Sequence, residues 1–125
     1  MGFNNLSFFS SIPQTSLWEA PPEANKIVNP IAKDKSSNAA GKELYSIYCV
    51  ACHGENGKGD GPASLSIKTK PADHSCEKIQ KQSDGAIFWK LTEGRSNNVM
   101  ASYKLILTDK ERWMLVNYIR TLSEK

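Results

Sequence analysis

The sequence predicts a small all-α domain, and three features of the chain support this prediction. The T-x-x-E pattern of Thr108 and Glu111 is a capping box, a side-chain pair that opens many helices. An apolar stripe follows at helical spacing, formed by Leu115, Tyr118, Ile119 and Leu122. No stretch alternates apolar and polar residues over the length of a half-buried strand. With 125 residues, the chain is about one domain long.

The charge and the apolar pattern limit the possible partners. The formal net charge of +3 is small and no basic run is interleaved with aromatic residues, so we expect no nucleic-acid partner. No stretch approaches the ~20 apolar residues that a membrane-spanning helix needs. The apolar residues 6–12 are too few, and lack a preceding positive charge, to form an export signal. We expect membrane contact only through a partner or through an N-terminal anchor that this chain lacks.

Residues 1–37 are interpreted as a proline-rich N-terminal arm, and residues 38–125 as the folded domain. Four prolines lie in the arm, and prolines at this density prevent a long helix; they are Pro13, Pro21, Pro22 and Pro30. Trp18 and the apolar residues 27–31 indicate that part of the arm packs onto the domain. A disordered leader is the alternative.

A helix is predicted to follow the arm. Ser37 or Asn38 can cap its first turn, since the oxygen of either side chain can accept from a backbone N–H. Its inward face is formed by Gly41, Leu44, Tyr45, Tyr48, Cys49 and Cys52. Four glycines then make residues 54–62 a loop, because such a composition does not hold regular structure.

Two further helices are predicted. Ser83 caps a short middle helix over residues 84–93, which stops at Gly94. Residues 94–104 have no regular pattern and are predicted to be irregular. The last helix begins after Thr108 and carries the apolar stripe described above. The predicted domain therefore contains three principal helices joined by loops.

Residues 49–53 read CVACH and gather two of the three cysteines and one of the two histidines. Three chemistries fit two thiols separated by two residues. Thiol–disulfide exchange needs a βαβ setting, which the predicted helices do not provide. A structural zinc site could combine Cys49, Cys52, His74 and Cys76. The third is covalent haem attachment, which the C-x-x-C-H pattern favours.

The spacing of this pattern has a geometric reason. Cys49 and Cys52 lie on one face of a helical turn, so both thiols can reach the two vinyl groups of one flat ring. His53 then turns its imidazole towards the iron from the same side. Met100 is the predicted sixth ligand, because it lies in an irregular loop that can aim its thioether. His74 is the reserve candidate.

The chain from about residue 38 to residue 123 resembles the class I cytochromes c, small bacterial-type monohaem electron carriers. GKELYSIYCVACH places Gly41 and Tyr45 at four-residue steps before Cys49, as in the family's N-terminal helix, and LVNYIRTL is similar to its C-terminal helix. The resemblance implies the small cytochrome c fold, with crossed N- and C-terminal helices and a short middle helix around one haem. Gly41 would then let Tyr118 approach the first helix closely.

Two loops of the domain also resemble loops of that family. GENGKGDGPAS is similar to the loop on the histidine side of the haem, which implies that the carbonyl of Pro62 or a neighbour accepts a hydrogen bond from His53. FWKLTEGRSNNVMASYK is similar to the methionine-ligand loop, although Ala101 stands where proline commonly follows the methionine. By this resemblance, Trp89 and Tyr103 would lie near the haem propionates.

The function implied by the resemblance is one-electron transfer, not enzymatic catalysis. One haem c, covalently held through Cys49 and Cys52 and ligated by His53 and Met100, would shuttle electrons between redox partner proteins such as a respiratory complex or a terminal oxidase. We expect a periplasmic monomer, because bacteria attach haem to C-x-x-C-H outside the cytoplasmic membrane. The chain could also be a soluble domain of a membrane-attached protein. Two alternatives are a peroxidase-like protein with an open sixth site and the zinc-binding module.

Overall fold

A computed structural model describes residues 18–96 and 99–124, and this part of the chain is helical. The α-helices are α1 Lys35–Tyr48, α2 Val50–His53, α3 Glu77–Gln80, α4 Asp84–Glu93 and α5 Asp109–Thr121. Short 3-10 helices cover Pro22–Lys26, Pro62–Ser66 and Leu122–Glu124. Strand-like pairing in the described residues is limited to one bridge between Arg95 and Met100. The predicted all-α class is confirmed, and no helix within these ranges has the length and apolar character to span a membrane.

Helix α1 begins earlier than the sequence predicts. Asp34, not Ser37 or Asn38, is the N-cap: its carboxylate accepts from the N–H of Ser37, whose hydroxyl accepts from the N–H of Asp34. This capping box cannot be recognised from the sequence, because Ser37 occupies the position at which Glu or Gln usually completes the pair. The boundary drawn between residues 37 and 38 therefore falls inside α1, and the division into arm and domain stays a prediction.

The caps of α4 and α5 are those that the sequence predicts. The Ser83 hydroxyl accepts from the N–H of Ala86, and α4 ends before Gly94. Thr108 and Glu111 exchange side-chain-to-backbone hydrogen bonds in both directions, which completes the capping box. Both predictions are confirmed, because these patterns act within one helical turn and need no tertiary contact.

Helices α1 and α5 form the centre of the fold and pack against each other at Gly41. A Cβ atom placed on Gly41 would lie 2.1 Å from the carbonyl oxygen of Met114 and 2.8 Å from the Cβ of Tyr118. Only a residue without a side chain permits this approach, as the resemblance implies. The buried core around the contact consists of Tyr45, Cys49, Ile87, Leu91, Tyr103, Leu107, Trp113, Leu115, Val116, Tyr118, Ile119 and Leu122.

The described part of the N-terminal arm packs onto the helical domain. Its 3-10 helix Pro22–Lys26 contacts α4, and Ala24 is buried there with 2% of its surface exposed. The sequence leaves open whether the arm packs or is a disordered leader, and for residues 18–34 the structure favours packing. Residues 1–17, with Pro13, lie outside the described part of the chain.

We expect Gly41→Ala to destabilise the protein. At an exposed helix position this change would raise stability by about 1 kcal/mol, because alanine has the higher helix propensity. Here the new methyl group would overlap the Met114 carbonyl, and overpacking of this kind costs about 1–3 kcal/mol. Urea unfolding followed by circular dichroism measures the difference, with Ser46→Ala at an exposed position of α1 as the control. A G41A protein more stable than wild type would contradict the close contact.

Candidate functional site

A single cavity brings most of the predicted site residues together. It has a volume of about 420 Å³ and is bounded by α1 and α2, by α4 with the loop after it, and by residues 67–74. The predicted residues that line it are Cys49, Cys52, His53, Met100 and Tyr103. Pro62, which begins a 3-10 helix, and Trp89 of α4 do not line it. Trp18 lines the cavity instead, although the sequence indicates only that the arm around it packs.

The CVACH segment lies at a break between two helices. Helix α1 ends at Tyr48, Cys49 follows as its C-cap, and α2 carries Cys52 and His53. The N–H groups of Cys52 and His53 both donate to the Cys49 carbonyl, at 3.2 and 2.8 Å. The two cysteines are therefore held within one turn, and both line the same cavity.

Burial makes the Cys49 thiol unsuited to disulfide exchange. Burial and, to a lesser extent, the neighbouring Cys52 raise the pKa of Cys49 to about 12. An exchanging cysteine needs a low pKa, because the thiolate is the attacking species. The described residues also contain no βαβ unit. The environment of Cys49 and the helical setting therefore agree with the sequence argument against exchange chemistry.

A backbone carbonyl orients His53, although it is not the carbonyl that the resemblance implies. The His53 Nδ1–H donates to the carbonyl oxygen of Ala72 at 2.9 Å, so the prediction of Pro62 or a neighbour as acceptor is wrong. Because a carbonyl only accepts, this bond places the proton on Nδ1 and leaves the lone pair of Nε2 available to a metal. Burial lowers the pKa of His53 and the Ala72 bond opposes this, with a net lowering that favours the neutral ring. No sequence pattern marks the acceptor, since every residue carries a carbonyl.

His74 packs against His53 and is held in place by Tyr45. The two imidazole rings stack with their centroids 4.0 Å apart. Nδ1 of His74 shares a hydrogen bond of 2.8 Å with the Tyr45 hydroxyl. Burial and then the neighbouring His53 lower the pKa of His74 well below its ordinary value. His74 is therefore a neutral packing partner of the His53 ring.

The alternative zinc site is not formed. Its four expected ligands, Cys49, Cys52, His74 and Cys76, all lie in the described part of the chain. Within that part, no group of three or more His, Cys, Asp or Glu residues is arranged to hold a metal ion. Tyr45 engages one nitrogen of His74, and Cys76 precedes α3 outside the cavity lining. Three of the four expected ligands therefore line one cavity, but Cys76 does not join them.

Backbone contacts fix the loop that carries Met100. The Met100 carbonyl accepts from the N–H of Arg95, and the Tyr103 N–H donates to the Leu91 carbonyl, both at 2.9 Å. Gly94 has a φ of +71°, and a Cβ atom there would lie 2.8 Å from the Met100 carbonyl oxygen. Glycine is therefore required where the chain leaves α4 and turns back. These contacts hold Met100 against the cavity.

Buried Arg112 of α5 supports the same loop. Its side chain is only 5% exposed, and it pairs with Asp109. Its guanidinium also donates to the carbonyl groups of Tyr103, Lys104 and Leu107. The sequence predicts no role for this residue, because Arg112 ends the charged run of residues 109–112 and no pattern in that run distinguishes a buried side chain.

The fold and the cavity define the class of protein: a helical domain in which a C-x-x-C-H segment and a loop methionine line one cavity. The chain belongs to the cytochrome c family, because the family model for cytochrome c matches residues 38–123, more than half of its length. The predicted small cytochrome c fold is thereby confirmed.

Two known proteins illustrate the similarity. Cytochrome c-550 of Bacillus subtilis (strain 168) is 35% identical over 66 residues, which cover 52% of this chain and 53% of that protein. A chain of the reducing HAO-like protein complex of Kuenenia stuttgartiensis has a TM-score of 0.69 at 30% identity, over 74% of this chain and 46% of that chain. The chain therefore spans about half the length of these relatives.

The donor set and the walls of the cavity fit a c-type haem. Two cysteines in C-x-x-C-H spacing suit covalent attachment, and imidazole and thioether groups are established axial ligands of haem iron. The apolar part of the wall consists of Ile67, Ile79, Ile87, Leu91, Val99 and Ile119. Lys90 and Arg95 add positive charge to the lining, which complements the carboxylates that haem carries.

We expect Tyr45→Phe to destabilise the protein by about 1–3 kcal/mol, because it leaves the buried Nδ1 of His74 without its hydrogen-bond partner. Guanidinium unfolding measures the change in the free energy of unfolding. Tyr48→Phe is the matched control, since Tyr48 is 37% exposed and water can replace lost contacts. Equal effects of the two substitutions would show that the Tyr45–His74 bond contributes nothing specific.

Proposed function

We propose that this chain is a one-electron carrier with a single c-type haem, bound covalently through Cys49 and Cys52. The composition of one cavity supports the proposal best: two thiols, a histidine with an available Nε2 atom and a methionine line about 420 Å³. Membership of the cytochrome c family supports the same cofactor. Bound haem supplies a one-electron couple between ferrous and ferric iron.

Four side chains would hold the group in different ways. Cys49 and Cys52 would form thioether bonds from within one turn of the chain. His53 would ligate through Nε2, since Ala72 engages Nδ1. Met100 would ligate through its thioether sulfur. Because His53 and Met100 would both bind the iron, no position would remain for a substrate, and we therefore propose a carrier rather than an enzyme.

The cavity walls would keep water away and favour the reduced state. Ile87, Leu91 and Tyr103 are 6%, 3% and 8% exposed. Burial, with smaller contributions from nearby groups, raises the pKa of Tyr103 to about 12, so its hydroxyl stays neutral and donates to the Tyr48 carbonyl at 3.1 Å. The apolar part of the wall disfavours additional positive charge on the iron, and methionine ligation would also raise the reduction potential.

We further propose that the carrier serves redox partner proteins of a respiratory chain in the periplasm and works as a monomer. Redox carriers of this size meet their partners through small, transient interfaces. The solved chain from K. stuttgartiensis that shares the fold belongs to a complex, which supports a protein partner for this one. The formal charge of +3 favours a partner with an acidic surface.

We expect the combined substitution of Cys49 and Cys52 by serine to abolish covalent haem attachment. Protein produced with haem-attachment machinery would be extracted with acidified acetone, and the haem that remains with the polypeptide would be measured by its absorption. Cys76→Ser removes a thiol outside the cavity and should retain the wild-type amount. Complete extraction of haem from the wild-type protein would rule out the proposed attachment.

Met100→Leu should remove the weak red absorption band that reports sulfur ligation of ferric haem, and should lower the reduction potential. Met114→Leu is the matched control, because Met114 lies on α5 outside the cavity lining and should leave both properties unchanged. Visible spectroscopy of the oxidised proteins and a redox titration make the comparison. Persistence of the red band in M100L would exclude Met100 as the ligand.

A further inference from the structure

Residues 18–34, the described part of the arm before α1, form a segment that we call the strap. The strap lies outside residues 38–123, the segment that the cytochrome c family model matches. It crosses the N-terminus of α4 and the side of α5, and its first residue, Trp18, reaches the cavity. A segment outside the family core thus contributes to the wall of the site.

A buried polar residue of α5 anchors the strap. Asn117 is 1% exposed. Its amide group donates to the carbonyls of Ile31 and Ala32 at 3.3 and 3.2 Å, and its Oδ1 accepts from Asn29 at 2.7 Å. A buried amide is costly unless its hydrogen bonds are made. The strap therefore satisfies a polar group that the helical core alone would leave poorly paired.

A second anchor lies at the N-terminus of α4. A Cβ atom on Gly85 would lie 2.0 Å from the Ala24 carbonyl oxygen, so the backbone of the strap touches the helix. The Asp84 carboxylate accepts from Asn29 and pairs with Lys33. Burial tends to raise the pKa of Asp84, but the hydrogen bonds outweigh it and hold the pKa below its ordinary value. The charged form of Asp84 is therefore the one that binds the strap.

Trp18, the first residue of the strap, lies close to two cations at the edge of the cavity. Nζ of Lys90 lies 5.0 Å from the centre of the Trp18 ring, and the guanidinium carbon of Arg95 lies 5.4 Å from it. Both distances are within the range of cation–π attraction. Trp18 is half-buried and lines the cavity, so its indole covers part of the cavity edge.

We propose that the strap serves to hold Trp18 as a shield over the bound haem, limiting access of water and of small external ligands. This inference rests on the proposed haem-carrier function. An indole at the edge of the cavity removes solvent that would stabilise the ferric state, and so raises the reduction potential. It also narrows the route by which an external ligand could displace Met100. Trp18 thereby tunes a property of the site without being a ligand.

The test compares four haem-loaded full-length variants with wild type: Trp18→Ala, Trp18→Phe, Asn29→Ala and the control Trp89→Ala. Trp89 belongs to the same α4 that contacts the strap, but it does not line the cavity. The measurements are the reduction potential and the rate at which free imidazole binds to the ferric protein. W18A should bind imidazole several-fold faster and lower the reduction equilibrium constant by up to about tenfold, which is ~59 mV for one electron.

Each further variant has a defined outcome. W18F should have a reduction potential and an imidazole-binding rate close to those of wild type, since phenylalanine keeps an aromatic wall. N29A should loosen the strap, and should therefore lower the reduction potential and speed imidazole binding as W18A does. An unchanged reduction potential and imidazole-binding rate in W18A, or equal changes in W18A and W89A, would overturn the proposal that Trp18 shields the haem. An N29A protein identical to wild type would overturn the role of the strap in positioning Trp18. A wild-type protein that holds no haem would instead overturn the proposed function itself.

Discussion

The close approach of α1 and α5 at Gly41 is the constraint on which the site depends. The backbone of α5 lies where a side chain at position 41 would be, so a fixed contact, not an adaptable side chain, sets the distance between the helices. Helix α1 ends at the cavity, and the position of Cys49 follows from this contact. Tyr45 of α1 adds to this helix contact, because the centre of its ring lies 5.1 Å from that of Tyr118. Its hydroxyl also shares a hydrogen bond with His74. The same helix pair thus positions the thiols and the packing partner of His53.

The other wall of the cavity depends on an irregular segment, which needs a different kind of support. The loop that carries Met100 has alanine after the methionine, so proline does not stiffen it. Gly94 lets the chain turn back after α4. Arg112 donates hydrogen bonds to the carbonyl groups of the turn that follows Met100. A buried guanidinium needs partners for its donors, and the loop carbonyls need donors of their own. Nη1 of Arg112 donates to three of these carbonyls, although the buried Nε of the same side chain has no hydrogen-bond partner among the described residues.

The sequence predicts those features that depend on neighbouring residues. The caps at Ser83 and Thr108 and the C-x-x-C-H segment involve groups within one or two turns, so their patterns are visible in the printed chain. The acceptor for His53 could not be predicted in this way, because tertiary folding selects one carbonyl among many. The tryptophan that lines the cavity could not be predicted in this way either. Trp89 lies on α4, which borders the cavity, but Trp18 of the arm is the tryptophan that lines it. The zinc alternative fails for a related reason: tertiary folding decides whether Cys76 joins the other expected ligands, and Cys76 does not line their cavity.

The buried polar residues show how the irregular parts of the described chain are held. They are Ser37, Arg112 and Asn117. Each supplies hydrogen bonds to backbone that no helix satisfies: Ser37 at the start of α1, Arg112 in the Met100 loop and Asn117 along the strap. Two of the three lie on α5, the helix that also contacts Gly41. Because α5 carries two of these three supports and also contacts Gly41, the positions of the thiols, of Met100 and of Trp18 each depend on contacts with one helix. A change in the α5 backbone would alter ligand geometry and cavity access together, whereas a change at the side chain of Trp18 would alter cavity access, and with it the reduction potential, without altering ligand geometry.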